Sequence, residues 1–124
     1  MPHTIAQDMT AKMALSMMRE FHIRHLPVEN GGKLVGLVSD RDIKFASSFA
    51  HDKELTVDEI MTPDPYTVLP QTSVDDVVMN MAEHRYGCAI VKQENGKVVG
   101  IFTATDGLRV LGEVLKGNFK PIQQ

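Results

Sequence analysis

The sequence has 124 residues and contains no tryptophan, a single cysteine and few aromatic side chains. One cysteine, Cys88, excludes an intrachain disulfide, the bridge on which small secreted domains commonly rely. No apolar run approaches the roughly 20 residues that a membrane-spanning helix needs, and the N-terminus lacks the basic and apolar blocks of a signal peptide. We therefore expect a cytoplasmic protein without a membrane partner.

The charges also lack a dominant sign. Thirteen basic and sixteen acidic side chains give a formal net charge of −3, and no stripe of lysine and arginine runs through the sequence. Because binding by phosphate neutralisation needs such a stripe, we expect no nucleic-acid partner. Hydrophobic residues make up 43% of the chain, as in ordinary globular domains. A chain of this length buries enough surface to fold without disulfide bonds or metal ions.

The sequence does contain an internal repeat. A shift of 63 residues carries Thr4-Ile5 onto Thr67-Val68, and after one inserted residue a shift of 64 carries Asp42 onto Asp106. The insertion falls among Glu, Asn and Gly residues, where a turn tolerates it. Apolar character agrees at most of the other aligned positions. We interpret the chain as two copies of one unit of about 55–60 residues.

Each copy has the same predicted plan, a short strand, a helix, a β-hairpin and a second helix. Apolar residues at helical spacing predict the first helices at residues 10–21 and 73–83. Gly31-Gly32 and Asn95-Gly96 predict the hairpin turns. The second helices are predicted to begin near Ser39 and Thr103.

A β-α-β-β-α unit of this size exposes a sheet face that it cannot cover alone, so the two copies are predicted to pack together. We predict an α+β (α/β-like) fold in which two such repeats are related by pseudo-two-fold symmetry and small sheets are flanked by helices. Residues 1–55 form repeat 1, with residues 46–55 as a connector. Residues 56–124 form repeat 2, with a C-terminal helix and a tail over residues 117–124.

The segments after the hairpins, residues 36–42 and 100–106, share one pattern. Each has glycine, two apolar residues, serine or threonine, two variable residues and aspartate. In one interpretation the hydroxyl and the carboxylate cap a helix, which stabilises it by about 0.5–2 kcal/mol without a ligand. In the other, the helix N-terminus binds an anion and the aspartate holds a diol such as ribose. The residues leave both open.

The doubled unit resembles a tandem pair of CBS domains, also called a Bateman module. The resemblance covers residues 4–116 and rests on the two junctions, on Leu26-Pro27-Val28 and on Ile60-Met61-Thr62-Pro63, which opens the second copy. It implies a non-enzymatic regulatory module without an obligatory cofactor. Such a module binds an adenine nucleotide or related adenosyl ligand (AMP, ADP, ATP, S-adenosylmethionine or NAD) in the cleft between the copies.

The resemblance also implies roles for individual residues. Asp42 and Asp106 would hold the ribose hydroxyls, beside Ser39 and Thr103. The base would contact segments that include the following residues: His25 and Pro27 in the first copy, and Thr62, Tyr66, Thr67, Ala89 and Ile90 in the second. The candidates for neutralising a phosphate are four cations: Arg24, His25, Arg41 and Arg85. Because the first copy lacks the Ile-Met-Thr opening, we expect the second copy to supply the better-formed site.

The resemblance further implies a homodimer formed through the helices, with an effector protein receiving the signal. The apolar residues available for that interface are Phe45, Phe49, Leu108 and Leu111, together with methionine-rich helix faces. The alternative is a ligand-free structural or dimerisation module whose junctions only cap helices. Catalysis has no support in the sequence, and two histidines, His22 and His25, are too few to indicate a metal site.

Overall fold

The computed structural model describes residues 2–51 and 53–117, and its elements follow the repeat. The first half contains β1 (Ile5–Ala6), α1 (Ala11–Phe21), β2 (His25–Asn30), β3 (Lys33–Ser39) and α2 (Asp40–Ala50). A short helix, α3 (Val57–Ile60), and a strand, β4 (Thr62–Pro63), come next. The second half contains β5 (Thr67–Val68), α4 (Val74–His84), β6 (Cys88–Lys92), β7 (Val98–Thr103) and α5 (Ala104–Leu115). The predicted plan is confirmed in both copies.

The strands form two small mixed sheets. The first has the order β1-β2-β3-β4 and the second has the order β5-β6-β7. In each sheet a short parallel strand pairs with the first strand of an antiparallel hairpin. Both hairpins shift register at matching places, between Val28 and Glu29 and between Val91 and Lys92. The repeat therefore extends to the irregularities of the sheets.

The hairpin turns depend on glycine. Gly31 and Gly32 have φ angles of 59° and 79°, and Gly96 has a φ angle of 90°. Side chains with a β-carbon rarely adopt these left-handed conformations, which are the ones that tight hairpin turns require. The predicted positions of both turns are confirmed.

Each half has its own hydrophobic cluster. Leu26, Val28 and Val38 are fully buried in the first. The second is smaller and is built on Val77, Met81 and Ala89, with Tyr66, Val68 and Phe102 packed against it. Val57 of α3 is also fully buried, and it belongs to the first cluster. The residues immediately after the connector therefore pack on the first half.

Strand β4 continues this association. It pairs antiparallel with β3, with Pro63 opposite Gly36 and Thr62 opposite Leu37. Met61 packs directly over Gly36, since a β-carbon there would lie 2.5 Å from the Met61 sulfur. The chain thus adds an edge strand to the first sheet before it enters the second.

The structure differs from expectation in the predicted connector. Helix α2 continues through Ala50, so residues 46–50 are helical. Phe45 and Phe49, one turn apart, pack edge to face with ring centroids 5.0 Å apart, which supports the added turn. In the described part of the chain, no helix is long and apolar enough to cross a membrane.

Replacing Gly36 with alanine is expected to lower the free energy of unfolding by about 1–3 kcal/mol, because the added methyl group overpacks the contact with Met61 and Thr62. The matched control is Gly100→Ala at the equivalent position of β7. There the methyl group would lie 3.6 Å from Val91, an ordinary contact. Chemical denaturation measures both variants, and equal stability of the two would contradict the packing of Met61 on β3.

Candidate ligand-binding site

Each junction begins its helix with a reciprocal cap. The Oγ atom of Ser39 accepts a hydrogen bond from the N–H of Asp42 at 3.1 Å, and Oδ2 of Asp42 accepts one from the N–H of Ser39 at 3.2 Å. Thr103 and Asp106 repeat this arrangement at α5, with distances of 3.3 and 2.8 Å. The predicted capping hydrogen bonds are therefore present at both junctions.

The carboxylate of Asp106 can accept hydrogen bonds beyond those that form the cap. Its Oδ2 accepts from the backbone and the hydroxyl of Thr103, while Oδ1 accepts from the guanidinium of Arg109 at 3.0 Å. Partial burial raises the pKa of Asp106, but the hydrogen bonds from Thr103 and Arg109 outweigh it and hold the pKa below its ordinary value. Because a carboxylate offers about four acceptor positions, ionised Asp106 can accept a further hydroxyl at Oδ1 without losing the cap.

A cleft of about 430 Å³ lies between the two halves. One wall comes from the first half, from Pro2 and His3 and from the turn between α1 and β2. The other wall comes from the end of β7 and the first turn of α5, where Thr103 and Asp106 lie. The volume falls within the range of roughly 300–1,000 Å³ that is typical of small-molecule sites.

The two walls differ in chemistry. The first-half wall carries four nitrogen-bearing side chains: His3, His22, Arg24 and His25. The second-half wall carries two hydroxyls and one carboxylate, from Thr103, Thr105 and Asp106. The remaining lining is apolar: Pro2, Ile23, Pro27 and Ile101. The cleft therefore places basic side chains on one wall opposite hydroxyl groups and a carboxylate on the other.

The turn that supplies the basic wall is held at both ends. His22 ends α1 in the left-handed conformation, with a φ angle of 56°, and its N–H donates to the carbonyl of Met18. The carbonyl of Arg24 accepts from the N–H of Asp40 at 3.0 Å, which ties the turn to the start of α2. These bonds fix the direction in which β2 begins and so position His25.

His25 lies where the halves meet. Its Nε2 atom is 3.6 Å from the point where a β-carbon on Gly87 would stand, so the imidazole lies beside the segment that leads into β6 of the other half. Burial lowers the pKa of His25. The charges of Asp40 and Asp42 oppose that shift and the charge of Arg24 adds to it, so the net pKa is below the ordinary value. The neutral imidazole is therefore favoured in the free protein.

Some of the predicted site residues meet in this cleft and others lie elsewhere. Those lining it are Arg24, His25, Pro27, Thr103 and Asp106. Ser39, Arg41 and Asp42 lie at the start of α2, where Ser39 and Asp42 form the other cap. Thr62 is in β4, Thr67 is in β5, and Tyr66 stacks on Tyr86 with ring centroids 4.9 Å apart. Ala89 and Ile90 are fully buried in β6.

Sequence reasoning missed the remaining lining residues: Pro2, His3, His22, Ile23, Ile101 and Thr105. Two signals in the sequence point to some of them. His3 aligns with Tyr66 in the repeat, and Ile101 lies two residues before Thr103, on the same face of a strand. By the same alignment His22 matches Arg85, a candidate cation, and both residues end a helix in the left-handed conformation. In the first half this conformation brings His22 and Ile23 to the cleft.

Cys88 takes no part in this cleft. It is a free, buried cysteine at the start of β6. Burial raises the pKa of its thiol to about 11, so the nucleophilic thiolate is scarce at neutral pH. Cys88 therefore acts as a small apolar side chain.

The CBS domain family model matches residues 2–48 and 57–113 of the chain. The protein therefore belongs to the CBS domain family, and its fold is that of a CBS domain pair. The resemblance inferred from the repeat is confirmed. Inosine-5'-monophosphate dehydrogenase of Korarchaeum cryptofilum is 37% identical over 103 residues, which are 83% of this chain and 21% of that protein. The chain thus spans about a fifth of the length of the curated relatives it first matches.

Solved structures show the same architecture. The CBS domain pair of protein MJ0100, in complex with 5'-methylthioadenosine and S-adenosyl-L-methionine, has a TM-score of 0.82 and 31% identity, covering 92% of this chain and 90% of that one. CBSX2 in complex with AMP has a TM-score of 0.75 and 25% identity, with the same coverage of both chains.

Replacing Asp106 with asparagine is expected to lower the free energy of unfolding at pH 7 by about 1 kcal/mol, because the charged cap of α5 is lost. Folding lowers the pKa of Asp106. Its stabilisation is therefore present above the unfolded pKa and is lost as the pH falls through the folded pKa. Urea denaturation from pH 7 to ~3 is expected to show the gap between the two proteins narrowing, whereas a constant gap would contradict an ionised cap.

Proposed function

We propose that this chain is a non-enzymatic regulatory module that binds an adenine nucleotide or a related adenosyl ligand in the cleft between its repeats. The observation that carries the proposal is the meeting of Thr103 and Asp106 of one half with Arg24 and His25 of the other. A carboxylate suits the ribose diol and a guanidinium suits phosphate. The apolar lining suits the flat face of a base.

The other predicted residues stay candidates for a second cleft. They are Ser39, Arg41, Asp42, Thr62, Tyr66 and Thr67. Ala89 and Ile90, which were also predicted, are fully buried in β6 and would only support the wall of such a cleft. The repeat places Asp42 where Asp106 lies in the other half, and both form the same cap. Residues 1–55 and 56–124 act as one unit in this proposal, since the cleft takes a wall from each.

Two solved CBS structures support an adenosyl ligand. One is bound to 5'-methylthioadenosine and S-adenosyl-L-methionine, and the other is bound to AMP. These ligands share an adenosyl group and differ in what the 5' carbon carries. The shared part is therefore the best guide to what this cleft recognises.

The proposal excludes an enzymatic role for this chain. The dehydrogenase relative matches over 21% of its own length, so the shared region is a small part of that protein. The one thiol is buried and protonated. A lone cysteine also fits the reducing cytoplasm, where we place the module.

Signalling follows from the position of the cleft between the halves. A ligand that contacts both walls favours the arrangement in which they lie at the right separation. It shifts the population toward that arrangement by its difference in affinity for the two states. We propose that an effector protein, or another part of a longer chain, reads this shift.

A thermal-shift panel with AMP, ADP, ATP, S-adenosylmethionine and NAD tests the proposal. A ligand present at 100 times its dissociation constant adds about 2.7 kcal/mol of stability, which raises the midpoint by several degrees for a chain of this size. We expect such a rise with at least one compound, and we expect Asp106→Ala to abolish it.

The matched control is Asp42→Ala, which removes the same cap from the other half. Both variants lose up to about 2 kcal/mol of stability, but only Asp106→Ala is expected to lose binding in the cleft described here. A reduced response in Asp42→Ala as well would indicate a ligand in the second cleft. If no compound shifts the wild-type protein, the ligand-free structural module becomes the better account.

We also propose that the pair forms a homodimer. Phe45, Phe49, Leu108 and Leu111 project from α2 and α5 and are 52–68% exposed. Four large apolar side chains exposed on two helices are typical of an interaction surface. A second copy of the chain would cover them.

Sedimentation velocity at micromolar concentration is expected to show a dimer for the wild-type protein. The double variant Phe45→Glu/Leu108→Glu is expected to sediment as a monomer, because two charges per subunit would be buried without partners. Lys97→Glu, at the end of the second hairpin turn, is the charge-changing control and is expected to remain dimeric. A monomeric wild-type protein would contradict the dimer.

A further inference from the structure

We infer that an apolar cavity in the second half is a docking site for the C-terminal segment, residues 118–124 of the same chain. Ile122 of that segment would fill the cavity as Val57 fills the core of the first half. These seven residues lie outside the part of the chain that the structure describes, whereas the residues that form the cavity all lie inside it. The inference concerns a different surface from the ligand-binding cleft and does not depend on the proposed function.

The cavity has a volume of about 140 Å³. Its lining comes from β5 and the segment that follows it, from α4 and from both strands of the second hairpin: Val68, Leu69, Pro70, Thr72, Val74, Val77, Val91 and Phe102. None of these eight residues is charged. The volume is below the roughly 300 Å³ at which small-molecule sites begin and is close to that of cavities that hold a benzene-sized group. A single apolar side chain therefore suits this cavity better than an adenosyl ligand does.

The first half shows what occupies the equivalent position. By the repeat alignment, five of the lining residues correspond to buried members of the first hydrophobic cluster: Ile5, Ala11, Ala14, Val28 and Val38. Val57, from the segment that follows α2, is fully buried in that same cluster. In the second half Val74 is 45% exposed, whereas its counterpart Ala11 is 6% exposed. The cavity therefore lies at the position that Val57 fills in the first half.

The spacing along the chain brings an aliphatic residue to this position. Val57 lies seven residues after Ala50, the last residue of α2. Ile122 lies seven residues after Leu115, the last residue of α5. The two helices begin at equivalent capped junctions. A segment that leaves α5 by the route that the chain takes after α2 therefore places Ile122 at the cavity.

The backbone groups beside the cavity match those that hold Val57. In the first half the N–H of Val57 donates to the carbonyl of Met9 at 2.8 Å, and the N–H of Ala11 donates to a carbonyl of the Val57 segment at 2.8 Å. The repeat alignment makes Thr72 the counterpart of Met9 and Val74 the counterpart of Ala11. Val74 is the first residue of α4, and the first N–H groups of a helix have no intrahelical acceptor. The second half therefore offers an acceptor and a donor at the equivalent places.

The proline before Ile122 is compatible with this pairing. Pro121 falls at the position of Thr56, whose N–H donates to the side chain of Glu59 at 3.0 Å and not to the neighbouring segment. A residue without an N–H therefore loses no hydrogen bond between the two segments. Proline also favours an extended conformation in the residue before it, which is the conformation that antiparallel pairing needs.

Disulfide trapping tests where the segment lies. Thr10 and Thr56 form an antiparallel bridge in the first half, and their counterparts are Ser73 and Pro121. A pair of this kind, with hydrogen bonds on either side of it, brings its Cα atoms close enough for a disulfide. The variant Ser73→Cys/Pro121→Cys is therefore expected to form an intramolecular disulfide under mild oxidation without denaturant. Mass spectrometry of the digested protein identifies which cysteines are joined.

Two further variants control this experiment. Thr10→Cys/Thr56→Cys is the positive control, because the structure shows that pair. Ser73→Cys/Gln124→Cys moves the second cysteine three positions along the segment, and its disulfide is expected to form several times more slowly. If the pair with Pro121→Cys forms no faster than the pair with Gln124→Cys, the inference is overturned. A disulfide that joins two chains would also overturn it, since the occupant would then come from a second copy.

Thermal unfolding measures whether docking stabilises the protein. Ile122→Asp is expected to lower the midpoint by roughly 2–6 °C, because an unpaired charge cannot enter an apolar cavity and the segment is released. Gln124→Asp adds the same charge to the same segment and is expected to leave the midpoint unchanged. Equal midpoints for the two variants would overturn the inference, while the proposed function of the cleft would stand.

Discussion

The packing of residues 57–63 on the first half is the interaction on which the rest of the structure depends. Val57 completes the first hydrophobic cluster, Met61 covers Gly36, and β4 extends the sheet beside β3. A few short strands cannot bury a core alone, so the first half draws on the segment that follows it. The chain leaves that sheet directly into β5, and this short passage sets the second half against the first. The cleft is a product of that connection.

The helix cap and the proposed ligand contact at Asp106 can be made by one side chain at the same time. The cap uses Oδ2, which faces the backbone and hydroxyl of Thr103, and the Oδ1 atom is shared with exposed Arg109. Capping also keeps the carboxylate ionised, which is the form that accepts hydrogen bonds from a diol. A residue can therefore stabilise its helix in the free protein and still recognise a ligand.

The repeat was the most informative part of the sequence. It predicted the two β-α-β-β-α units, both hairpin turns and the starts of α2 and α5, because glycine conformation and helix capping are decided by neighbouring residues. It did not predict the last turn of α2, the short elements at residues 57–63 or the pairing of the His25 turn with the Asp106 junction. Those depend on contacts between residues far apart in the chain. His22 and Ile23 reach the cleft because α1 ends in a left-handed residue, a conformation that the sequence analysis did not predict.

The position of β4 also orders events in time. During synthesis the chain emerges from its N-terminus, at about 5–20 residues per second. The residues of the first hairpin are translated well before Val57, Met61 and Pro63, which supply its missing core side chain and outer strand. The edge of β3 therefore stays unpaired until the beginning of the second repeat has left the ribosome. In this protein a unit that looks complete in the sequence becomes a finished structure only once its successor is being made.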